Sequence, residues 1–255
     1  MIENQLASLA LPADISGTRP LRLGMIVPSS NTCLEPQTYR ILGDRQDVTV
    51  HSARIPVTRI ALDADSDQQF DVAGMQAAAQ LLATAEVDAI AWNGTSGSWL
   101  GAEHDRRIAD CITQATGIPA TTSTLAYLQA FERFGLRRIG LLTPYTPDVN
   151  LQIAESWARC GIQVQGSAHF DLSDNESFAR VRPQDLLAGS RELLDGRPDA
   201  LVFLCTNLYG APVVEQLEAE SGLPVLDSVA VTLWHALLLA GGALLEPRWG
   251  RLLAG

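Results

Sequence analysis

The sequence contains no lysine: all 18 basic residues among its 255 are arginine, against 29 Asp and Glu, for a net charge of −11. A Walker A phosphate loop requires a Lys, and a Schiff-base mechanism requires an amine nucleophile, so both chemistries are excluded. An acidic chain with no Lys also lacks the clustered positive charge that nucleic acids and anionic membrane surfaces demand. Cysteine is sparse as well. Cys33, Cys111, Cys160 and Cys205 are far apart with no C-x-x-C pair, and four scattered histidines add no metal-ligand spacing. Neither a disulfide framework nor a zinc site is expected.

Long apolar runs are missing too, being broken by Gly, Pro or charge before the ~20 residues of a membrane helix. Residues 1–20 carry Glu3, a short apolar stretch broken by Pro12, and no basic cluster at the start. They read as a flexible N-terminal extension rather than a signal peptide, and the expected location is the cytoplasm.

What the sequence does have is a long-period repeat. Arg22–Pro28 matches Arg138–Pro144, Val87–Thr95 matches Pro198–Thr206, and Thr116–Pro119 matches Ser221–Pro224, in the same order. The pattern predicts strands near 22–27, 47–53, 87–92 and 118–121, with helices near 35–42, 68–84 and 103–115. A second copy has strands near 138–142, 162–168, 199–204 and 224–226, with helices near 148–160, 177–194 and 211–220. Continuously apolar strands such as 89–92 and 200–204 suit parallel sheets covered on both faces. The predicted fold is α/β: two pseudo-symmetric doubly wound domains, each with a four-stranded parallel sheet. Residues 21–116 plus 227–255 are assigned to the first domain and 117–226 to the second. A last helix, 229–239, is expected to pack back on the first.

Ligands of such sheets bind beyond the carboxyl ends of the strands, which places the active site in the interdomain cleft. The loops there are 28–32, 93–98, 144–147 and 205–207, rich in hydroxyls and amides and free of basic side chains. Cys205 ends a buried strand, where a thiol projects towards backbone N–H groups and can serve as acid, base or nucleophile. Cys111 and Cys160 sit on helices and read as packing residues; Cys33 follows the first loop and its direction is open. The repeat pairs Cys205 with Gly94, so chemistry needing a group on each face of a planar intermediate has a thiol on one side only. Hydroxyls such as Thr95 and Ser98 also suit helix N-caps. Trp92 and Trp99 bracket the Gly94 loop, with Trp99 a candidate pocket wall. Arg54, Arg59, Arg106 and Arg107 are expected at the surface or in ion pairs.

Val27–Thr32, Gly94–Ser98, Thr143–Tyr145 and Cys205–Asn207 together resemble the aspartate/glutamate racemase superfamily, in its branch of maleate cis-trans isomerases and arylmalonate decarboxylases. The similarity runs from about residue 21 to 240. It implies cofactor-independent, metal-free chemistry on a small dicarboxylate, with a dimer as a family-level expectation. Maleate isomerases use two facing cysteines; the second matches Cys205, whereas the first is Gly94 here. Their carboxylate-binding roles fall on Asn31, Tyr145 and Asn175, with Ser30, Thr146, Thr206 and Asn207 of the same loop cluster as further oxyanion- or carboxylate-binding candidates. Arylmalonate decarboxylases share the Gly-Thr-Ser pattern, and that likeness implies an oxyanion site from Thr95, Ser96 and Tyr145 with Cys205 as proton donor. Decarboxylation of a substituted malonate is therefore the leading expectation. Isomerisation or racemisation, with Cys33 or a water replacing the missing thiol, is the second, and a non-catalytic carboxylate-binding protein the third.

Overall fold

A computed structural model describes residues 19–62 and 72–254. The expected N-terminal extension lies outside the described residues except for 19–20, as do residues 68–71 of the second predicted helix.

Two four-stranded parallel sheets are present. The first comprises β1 (Leu21–Pro28), β2 (Val48–Ile55), β3 (Ala89–Trp92) and β4 (Ala120–Thr122) in the order β2-β1-β3-β4. The second comprises β5 (Arg138–Thr143), β6 (Gln163–His169), β7 (Ala200–Phe203) and β8 (Val225–Asp227) in the order β6-β5-β7-β8. The orders are the same, as the repeat requires. Both central partners, β3 and β7, are buried at every position, because helices cover each face.

Helices α1 (Leu34–Leu42), α2 (Val72–Ala83), α3 (Gly97–Leu100) and α4 (Ala102–Thr116) belong to the first half. After α5 (Ser123–Phe134) come α6 (Pro147–Arg159), α7 (Pro183–Glu192), α8 (Val214–Ser221) and α9 (Ser228–Leu239). The helix expected over 177–194 is three pieces, the last a 3₁₀ turn over Leu193–Gly196. Asn175–Arg180 forms a 3₁₀ turn, and Pro183, which has no N–H to give, starts α7 at its first turn.

Two helices, α3 and α5, have no counterpart among the predicted elements. Thr122 caps α5 by accepting from the Leu125 N–H, and Gly135, at φ 67°, ends it. Asp227 caps α9 at the matching position of the second half, accepting from Val229 and Ala230. The Thr232 hydroxyl donates to Ser123 at 2.8 Å, joining these two helices. Each packs on the other half of the molecule. Tyr127 packs tilted and Phe131 edge-on against Trp157 of α6, and Tyr127 donates to the Phe203 carbonyl at 2.6 Å. Helix α9 packs on α1, β3 and β4, as expected.

β4 pairs with β3, so the first sheet runs on to Thr122, past residue 116. Residues 251–254 form a 3₁₀ turn whose Arg251 N–H donates to Glu218 of α8.

Candidate active site

The exits of β1, β3, β5 and β7 meet between the sheets, and side chains from both halves interlock there. Thr95, after β3, holds its Oγ1 2.8 Å from the Tyr145 hydroxyl, after β5. That phenol also hydrogen-bonds the Cys205 thiol at the exit of β7. Three residues from three loops thus form one polar chain, all of it buried.

Cys205 is fixed from behind. Its N–H donates to Ser228 Oγ at 3.0 Å, Ser228 donates to the Phe203 carbonyl, and the Asn207 N–H donates to Cys205 Sγ at 3.3 Å. Burial pushes the thiol up to about 12, outweighing the opposing donations from Tyr145 and the Asn207 N–H, while the buried carboxyl of Asp227 raises it further. The Tyr145 phenol is raised well above its ordinary value, again mainly by burial. Thiol and phenol are both neutral, each with a proton to donate at ordinary pH.

Ser96 is completely buried, and its hydroxyl has no hydrogen-bond partner among the described residues. A buried hydroxyl left unpaired costs about 1–3 kcal/mol, a cost that an incoming acceptor would remove. Beneath it, Gly97 approaches the fully buried Asp105 so closely that a Cβ would lie 2.3 Å from the carboxyl carbon. Asp105 accepts from Thr122 Oγ1 at 2.5 Å through Oδ2, while its buried Oδ1 has no hydrogen-bond partner among the described residues. Burial raises it to about 7.

The amides of the first and last loops are occupied in stitching the halves together. Asn31 Oδ1 accepts from the Cys33 and Leu34 N–H groups, and its Nδ2 donates to Thr206 Oγ1 at 3.2 Å. Thr206 passes a hydrogen bond to the Asn93 carbonyl at 2.9 Å. Asn207 Oδ1 accepts from Thr32 and Cys33, while its Nδ2 donates to the Asn175 carbonyl. Asn175 Nδ2 reaches Ser30 Oγ at 2.8 Å. All these residues converge, and their amides bear on one another. Thr146 stands apart: half-buried at the start of α6, its hydroxyl bonds Asp148.

Trp99 of α3 packs edge-on against the Tyr145 ring at 5.5 Å, consistent with a wall. The opposite edge-on contact, Phe178 at 5.4 Å, was not anticipated, because its segment reads as an ordinary amphipathic helix. Cys33 is buried with its sulfur accepting from Gln37 Nε2 at 3.0 Å, one turn along α1, and burial raises its pKa. Arg54 pairs with Glu35 and donates to the Ser29 and Asn31 carbonyls, so it braces the first loop from outside. Arg106 pairs with Glu103 and Arg107 is exposed. Arg59 lies on a bridge to Asp174, where the strand exits of β2 and β6 meet. An open groove of about 520 Å³ between β2 and α2 holds none of the converging residues. Among the described residues no group of three His, Cys, Asp or Glu is placed to hold a metal ion, and no helix is long and apolar enough to cross a membrane.

The chain is similar to known proteins over nearly its whole length. The family model described as arylmalonate decarboxylase matches residues 23–253. An arylmalonate decarboxylase from Bordetella bronchiseptica is 28% identical over 234 residues, covering 90% of this chain and 95% of the relative. A maleate isomerase from Alcaligenes faecalis is 25% identical over 247 residues, covering 92% and 96%. The solved structure of a Nocardia farcinica maleate cis-trans isomerase mutant, carrying a covalently bound succinylcysteine intermediate, matches in fold with a TM-score of 0.84 at 20% identity, covering 92% of this chain and 98% of that one.

Proposed function

Because the chain belongs to the arylmalonate decarboxylase family, we propose that it decarboxylates a substituted malonate through a planar enediolate, with the Cys205 thiol as the proton donor. The observation that carries this reading is the neutral Cys205 thiol, buried and joined through Tyr145 to Thr95, with a glycine at 94 in the facing loop.

In the proposed step the bond between the α-carbon and one carboxylate breaks. Carbon dioxide leaves, and the electron pair passes into the remaining carboxylate to give the enediolate. Thr95, Ser96 and Tyr145 supply hydroxyl donors for its two oxygens, and each preorganised donor is worth about 3 kcal/mol of barrier. Uncharged donors suit this task because an arginine clamp would stabilise the departing carboxylate as well. The carbanion then takes the proton from sulfur, forming a C–H bond, and the thiolate is reprotonated from solvent.

A donor thiol must be protonated before the reaction, which fits the raised Cys205. An attacking cysteine needs the opposite shift towards thiolate. The unpaired Ser96 hydroxyl, buried at the site, supports an anionic ligand there. The racemase route through Cys33 gains no such support, since that sulfur faces Gln37.

The test is a panel of aryl- and alkyl-substituted malonates assayed for carbon dioxide release, beside maleate assayed for fumarate. Release from a substituted malonate without fumarate formation is expected. Fumarate formation with all malonates inert would replace this reading by isomerisation.

A further inference from the structure

Gly94 is not among the glycines with positive φ, so its backbone imposes no need for glycine. The need comes from packing. A Cβ at this position would lie 2.3 Å from both Cε2 and Cζ2 of Trp92, and 2.6 Å from its Nε1. These atoms belong to the body of a rigid ring, not to the end of a flexible side chain. At Gly74, by contrast, a Cβ would meet nothing within 4 Å.

The indole has little room to withdraw. Trp92 is 0% exposed and ends β3, where it pairs with Ile26 on one side and Thr122 on the other. Close-packed interiors accommodate added volume only by moving neighbours, which destabilises the fold.

We propose that Trp92 is the specificity-determining residue that keeps this enzyme one-sided: its indole fills the space into which any side chain at 94 would grow, and so excludes an acid or base opposite Cys205. The inference rests on the decarboxylase reading for its chemical consequence. With one thiol, the enediolate receives its proton from one face and the product is a single enantiomer. With a second thiol at 94, a thiolate on one side would remove the α-proton while the thiol on the other donated one. The product would then racemise with no net gain or loss of protons. The steric relation further implies that replacing Gly94 alone does not install that second group; Trp92 must shrink at the same time.

Two readouts test this in the full-length enzyme. The first needs no substrate: Gly94→Ala is made in the wild-type and Trp92→Leu backgrounds and the melting temperatures are compared. The substitution is expected to lower Tm by about 3–10 °C in the wild type and by much less beside Trp92→Leu. Failure of the single variant to fold, where the double variant folds, expresses the same coupling. Equal losses in both backgrounds would overturn the steric claim.

The second readout follows loss of optical purity and α-deuteration of the enantiopure monocarboxylic product in D₂O. The Trp92→Leu/Gly94→Cys double variant is expected to racemise it at least tenfold faster than Gly94→Cys. Equal rates in the two variants would overturn the proposal. A wild type inert towards every malonate would instead overturn the reaction reading, with the melting comparison still deciding the steric one.

Discussion

The Thr95 hydroxyl and the Tyr145 phenol, one from each half of the chain, stand 2.8 Å apart, and the phenol extends the contact to the Cys205 thiol. The three groups to which the proposed reaction gives the roles of donor and acid thus form one unit at the junction of the two sheets.

Tyr145→Phe removes the middle of that unit while keeping the ring contacts to Trp99 and Phe178. Its kcat is expected to fall about 10²- to 10³-fold. Thr95→Val should fall similarly, and the double variant should lose less than the product of the two single losses, because the groups share a hydrogen bond. Steady-state kinetics on the four proteins checks this.

Ser96→Ala separates stability from activity. The hydroxyl is buried without a partner among the described residues, so its removal should leave Tm unchanged or raise it slightly, while kcat/KM falls at least tenfold. Calorimetry paired with kinetics gives the answer, and a large loss of Tm would contradict the assignment.

Asp105 makes a prediction about pH. Its carboxyl is raised from 3.8 to about 7 by burial, so between those values the unfolded chain has lost a proton that the folded chain keeps. Stability from this group is therefore full below about pH 4 and is lost as the pH rises towards 7. Asp227, raised to about 7 by burial, acts with the same sign. Partly exposed carboxylates such as Asp199, held down mainly by Arg138, act with the opposite sign at lower pH. Asp105→Asn should consequently gain on the wild type in Tm as the pH rises from 4 to 7. A constant difference across that range would contradict the assignment.

Thiol chemistry gives a further check. Because burial keeps Cys205 protonated to about pH 12, iodoacetamide at neutral pH should label the partly exposed Cys111 and Cys160 well before it. Peptide mapping of a brief labelling reaction reports the order.

Much of the fold that positions this candidate site was legible in the sequence, for physical reasons. Buried parallel strands leave continuous apolar runs, and duplicated runs such as those ending at Trp92 and Phe203 predicted two like sheets with loops meeting at their carboxyl ends. Helix α5 was not legible because it lies at the junction of the halves, buried on several sides, and begins in a run of hydroxyl residues that resembles a loop. The roles of Asn31 and Asn207 as cross-links were hidden too, since their partners lie about 175 residues away. The closeness of Trp92 to Gly94 was visible as spacing, but only the rotamer places the indole in the path of a side chain.

The central claim is that Cys205 delivers the proton, and the most direct measurement is decarboxylation of a substituted malonate in D₂O by the wild type and Cys205→Ala. The wild type is expected to give product carrying one deuterium at the α-carbon with a single configuration. The variant, folded as judged by an unchanged circular dichroism spectrum, is expected to lose at least 10²-fold in kcat. Turnover by Cys205→Ala at the wild-type rate, with the same stereochemistry, would contradict the account.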